Sequence, residues 1–92
     1  MNGDELTACQ ARIERYSRRG IEEAQAERLA DLMKDCDRQA NGLRLCLDCT
    51  RLMGNQPWRC LSHRAAGVPR DLPGDFVRTP QRCLAFRTGA LT

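Results

Sequence analysis

Apolar positions in the first part of the chain recur at helical spacing. Leu6, Cys9, Ile13 and Tyr16 are separated by three, four and three residues, which draws one stripe along an α-helix. Asn2 followed by Glu5 forms a candidate capping box at its start. Arg18 and Arg19 suit the negative end of its dipole, and Gly20 closes it. On this stripe Cys9 reads as a small core residue. A second helix is expected from about Ile21 to Cys36, with Ile21, Ala24, Leu29, Leu32, Met33 and Cys36 as its buried face and Glu22 and Glu23 in its first turn. So short a link at Gly20 implies an antiparallel or sharply angled helix pair.

The pattern changes after Asp37. The run Asp37-Arg38-Gln39-Ala40-Asn41-Gly42 is polar and ends in Asn-Gly, a strong turn signal. Beyond it Leu43, Leu45 and Leu47 alternate with Arg44, Cys46 and Asp48, which predicts a short strand leading into a turn. Gly54-Asn55-Gln56-Pro57 is turn-forming and lets the chain fold back. Arg59 to Gly67 predicts a short helix closed by Gly67, and Pro73 to Thr79 a further turn or two stopped by Pro80. The expected fold is one small, mainly α domain over residues 1–92. In it a helix pair (1–39) precedes a metal-stapled segment (40–92) with a short strand and one or two short helices.

Composition supports the need for a staple. The chain has 92 residues and only 4% aromatics, so little apolar area is set against its ordering entropy. Met1 to Glu5 is polar and acidic, and no apolar run approaches the roughly 18 residues of a membrane span. No secretory signal and no membrane partner are expected, and a cytoplasmic setting is. Thiols stay reduced there, so the six cysteines point to a metal ahead of disulfides, with zinc ahead of an iron–sulfur cluster.

The ligand spacing is informative. Cys46 and Cys49 form Cys-x-x-Cys, which on a tight turn aims both sulfurs at one tetrahedral Zn2+. Cys60 supplies a third ligand. By spacing alone the fourth is either His63, giving Cys60-x-x-His63, or Cys83 near the end of the chain. Phe76, Val77, Leu84 and Phe86 are expected to pack around the site, and Trp58 to cover it.

Charge is divided unevenly. Residues 1–39 carry seven basic and nine acidic side chains, whereas residues 40–92 carry eight arginines and three acids. The second helix, with Glu22, Glu23, Glu27, Asp31 and Asp35 against Arg28 and Lys34, would be repelled by the phosphate walls of a DNA groove. A helix–turn–helix reading is thereby disfavoured. Arg44, Arg51, Arg59, Arg64, Arg70, Arg78, Arg82 and Arg87 offer nucleic-acid binding as the alternative function. Only Trp58 stands out as a stacking platform for a single strand. Catalysis is not expected. There is a single histidine, no acidic pair or phosphate loop stands out, and the βαβ setting of a thioredoxin-like Cys-x-x-Cys is missing. No small-molecule substrate is expected either.

The order of several pieces carries a resemblance. These are Gly20-Ile21-Glu22-Glu23-Ala24, Glu27-Arg28-Leu29-Ala30, Arg44-Leu45-Cys46-Leu47-Asp48-Cys49, Arg59-Cys60 and Gln81-Arg82-Cys83. Together they resemble a group of short, four-cysteine uncharacterised proteins carried by proteobacterial plasmids, integrative elements and prophages. The likeness spans roughly residues 12–86, and it lies in the order of the motifs more than in any one of them. It implies Cys46, Cys49, Cys60 and Cys83 as the metal ligands, since the group usually has an aromatic residue where this chain has His63. The chain departs from the group at Asp35-Cys36, where Arg-Asp is expected, so the resemblance does not extend ligand status to Cys36. The genetic setting implies a protein partner: a replication or transfer protein, or a host defence complex to be inhibited, as by an anti-CRISPR. An acidic helix beside a basic metal knob suits such a partner through charge complementarity.

Overall fold

The computed structural model describes residues 3–55 and 57–87, and the chain divides into two compact units, Met1–Gly42 and Leu43–Thr92. The first is a helical hairpin of α1 (Gly3–Arg18) and α2 (Glu23–Gln39). The expected cap at Asn2 lies outside the described residues. At the end of α1, the Ile21 amide donates to the Tyr16 carbonyl (3.1 Å) and the Gly20 amide to Ser17 (3.0 Å), with Gly20 at φ 91°. This is a Schellman turn, and Tyr16 and Ile21, both buried, stand where its apolar contact is made. Because that turn claims Ile21, α2 starts two residues later than the sequence predicts.

The hairpin interior differs from the predicted stripes. Cys9, Tyr16, Leu29, Met33 and Cys36 are buried as expected, but Leu6 is 51% and Leu32 41% exposed, and Ala24 is also exposed. Ala26 and Ala30 take the inner face instead. Small side chains let the helices approach, and the Cys9 thiol reaches the Ala30 carbonyl at 3.9 Å. Ion pairs between Arg12 and Asp37 (2.7 Å) and between Arg38 and Glu5 (bidentate, 2.5 and 2.8 Å) bind the two helices at the surface.

The second unit is built on a sheet that the sequence reading did not predict. Strands β1 (Leu52–Gly54), β2 (Trp58–Cys60) and β3 (Asp71–Leu72) pair antiparallel in that order. Leu52 faces Cys60, Gly54 faces Trp58, and Trp58 faces Leu72 across the ladder. The β1–β2 turn falls at the predicted Gly54–Pro57. Gly54 is required there, since at φ 87° a Cβ would stand 2.5 Å from the Pro57 carbonyl oxygen.

Two short helices accompany the sheet, α3 (His63–Ala66) between β2 and β3 and α4 (Gly74–Val77) after β3. The first is shorter than predicted because Arg59 and Cys60 belong to β2. It does end at Gly67, whose φ is 71°. The strand predicted over residues 43–47 is replaced by a single bridge from Arg44 to Gln81 and a 3-10 turn at Cys46–Asp48. Leu45 and Leu47 are nonetheless fully buried, so the alternation marked burial correctly without forming a ladder. No helix among the described residues is long and apolar enough to cross a membrane.

Candidate metal centre

The 3-10 turn sets the first two cysteines. The Asp48 amide donates to Leu45 (3.0 Å) and that of Cys49 to Cys46 (2.9 Å), which folds Cys-x-x-Cys onto itself. The C-terminal segment is laced to both ends of this turn. Arg44 and Gln81 exchange backbone hydrogen bonds of 2.8 and 2.9 Å, and the Thr50 amide donates to Arg87 at 2.9 Å. Cys83 lies between those two anchors and opens a turn of its own, closed by the Phe86 amide (3.2 Å). Cys60 arrives from β2, on the sheet face that also carries Leu52, Trp58 and Leu72.

Cys46, Cys49, Cys60 and Cys83 all line one small cavity of about 40 Å³, walled otherwise mainly by apolar groups such as Leu45, Leu72, Phe76 and Phe86. His63 does not line it, and faces a separate surface groove with Arg59 and Arg70. The sulfurs are met by donors. Cys49 Sγ accepts from the amides of Arg51 (3.4 Å) and Arg87 (3.5 Å), and Cys46 Sγ from the Gln81 side-chain amide (3.6 Å). Such donors fix the orientation of the sulfurs they meet. Burial pushes the Cys46 thiol up to about 12, and its neighbours Cys83, Cys49 and Cys60 add to the rise. Cys49, Cys60 and Cys83 are thus each within electrostatic reach of Cys46.

Sharing a cavity is less than forming a cage. Among the described residues, no group of three or more His, Cys, Asp or Glu side chains converges as a ready-made metal holder. The donor set still fits a soft cation in type and number. Four sulfurs suit zinc, the walls are mainly apolar, and backbone amides already point at the Cys49 sulfur.

Several surrounding residues stand elsewhere than expected. Trp58 is buried but is not among the cavity's lining residues, and the Arg78 guanidinium lies over its ring at 5.4 Å. The inward register of β2 points it at Leu72 and Gly74 instead. Leu84 is 97% exposed, at the outer edge of the Cys83 turn, whereas Phe76 and Phe86 do line the cavity. Gln81 was not singled out from sequence as a contributor to the site. Its one signal is position, two residues before Cys83.

No protein-family model matches this chain, and it matches no curated protein and no solved structure.

Proposed function

We propose that the protein is a small, non-enzymatic zinc-binding protein that acts by binding another protein. Cys46, Cys49, Cys60 and Cys83 would hold the ion, which would supply structural cross-linking in place of a large core. The observation that carries this reading is the lining of one apolar cavity by those four thiols, drawn from three separate stretches of chain. With all four sulfurs engaged no position is open for a substrate or an activated water, hence a structural role. The surface supports a protein as the partner class. The second unit combines surplus arginine with solvent-exposed Met53, Leu61 and Leu84, and exposed apolar side chains beside arginine are typical of protein interfaces. By its resemblance, the partner would be a replication or transfer protein of a mobile element or a host defence complex.

Elemental analysis of the purified chain tests the first part, with about one zinc per chain expected. A metal-free chain of unchanged fold would overturn it. Affinity capture from the natural host tests the second. Strong DNA or RNA binding that falls steeply with salt would hand the function to the arginines of residues 44–87.

A further inference from the structure

The face of the sheet turned away from the cysteine cavity is the next feature with chemistry to use. Leu52, Trp58 and Leu72 are buried on one face, and the alternate positions Met53, Arg59 and Asp71 project from the other. Beside them lies a surface groove of about 310 Å³ bounded by Met53, Arg59, Leu61, His63 and Arg70, and reaching Cys60. Its apolar members are unusually open, Met53 at 46% and Leu61 at 61% exposure. Its polar members are two guanidinium groups and an imidazole. The internal counter-charge is Asp71, opposite Arg59 in register and 3.8 Å from Arg70. At that distance, with both partners exposed, the pair holds Arg70 weakly and leaves the groove a cationic surplus.

We propose that this groove takes an acidic segment of a protein partner, which lays an apolar side chain against Met53 and Leu61 and presents carboxylates to Arg59 and Arg70. This rests on the protein-binding reading above and names where it operates. Charge complementarity selects an acidic occupant, and the forked guanidinium suits carboxylate. The apolar lining selects protein over nucleic acid. The one ring lining the groove is the His63 imidazole, a smaller stacking surface than Phe, Tyr or Trp, while a thioether and a leucine adapt to an aliphatic anchor.

The test titrates three probes into the nitrogen-15-labelled full chain at one ionic strength. They are a Glu-rich peptide with isolated Leu residues, the same peptide with Gln for Glu, and oligothymidylate. The Glu peptide should shift the amide signals of Met53, Arg59, Leu61, His63 and Arg70, and the Gln peptide should not. Arg59→Glu combined with Arg70→Glu should weaken the Glu peptide at least about tenfold. Asp71→Asn, which removes the internal competitor, should tighten it a few-fold. Leu61→Ser should weaken it with native Trp58 emission retained, which separates lost contact from lost fold. Equal binding of the Gln peptide, or no shift with any probe, overturns the proposal. So does self-association of the chain that the same substitutions abolish, which would make a second copy the occupant. A natural protein partner that binds the charge-reversed chain undiminished removes the groove but leaves the protein-binding reading standing. Oligothymidylate moving the groove signals further than the Glu peptide removes both.

Discussion

Ala40 occupies a backbone position that ordinarily belongs to glycine. It ends α2 at φ 50° and ψ 40°, with its amide donating to Asp37 (3.1 Å) and the next amide, of Asn41, to Cys36 (3.5 Å). This is the same Schellman turn that Gly20 makes after α1, but here with a Cβ in the left-handed region. Ala40→Gly should therefore stabilise the chain by about 0.5–1 kcal/mol, relief of strain outweighing the added freedom of the unfolded state. Thermal unfolding of the two proteins decides it, and a lower midpoint for the glycine variant would refute the strain. Position distinguishes the two candidates for fourth ligand, Cys83 and His63. Cys83→Ser should abolish tight zinc uptake and His63→Ala should leave it intact, since His63 faces the other groove. On the proposed reading, zinc would have to displace the proton that burial and the neighbouring thiols fix on Cys46, whose value is pushed up to about 12. Uptake should accordingly weaken as pH is lowered, measured by competition with a chelator whose own pH dependence is known.

At the scale of elements, the short sheet depends on one turn. Gly54→Ala places a Cβ 2.5 Å from the Pro57 carbonyl oxygen at a φ of 87°, so it should cost about 2 kcal/mol and loosen the β1–β2 pairing. Denaturant unfolding measures this, and an unchanged midpoint would mean the hairpin is not held by that turn. What could be read beforehand, and what could not, follows from element length. Both long helices repeat their apolar period several times, and their existence and Gly20 terminus were legible. Their facing surfaces were misassigned because periodicity ranks leucine above alanine. Close packing at Cys9 instead put Ala26 and Ala30 inside and left Leu6 and Leu32 outside. Strands of two and three residues carry too little alternation to announce themselves, and only the Gly54–Pro57 turn betrayed them. The cysteine spacing indicated three thiols, Cys46, Cys49 and Cys60, and left the fourth ligand between His63 and Cys83, a choice that only the resemblance turned toward Cys83. It gave no sign that Gln81 would reach Cys46, because that contact depends on the bridge between Arg44 and Gln81.

For the whole molecule, the division at Gly42–Leu43 matters more than the small size. The polar run ending in Asn41-Gly42 marks the change in composition, and each unit has its own interior. The helical one is held by Tyr16, Met33 and the alanine faces, the other by Leu45, Leu47, Trp58, Leu72 and Val77, of which Leu45 and Leu72 line the cysteine cavity. If zinc cross-links the second unit, chelation should open it while the helical hairpin persists, because no candidate ligand lies before Cys46. The sole tryptophan of the chain is buried in the second unit and its sole tyrosine in the first. Each half thus reports optically on itself without any label. Under a chelator, tryptophan emission should move to longer wavelength while the near-ultraviolet signal of tyrosine holds. Coincident loss of both would instead show the two halves to be thermodynamically one.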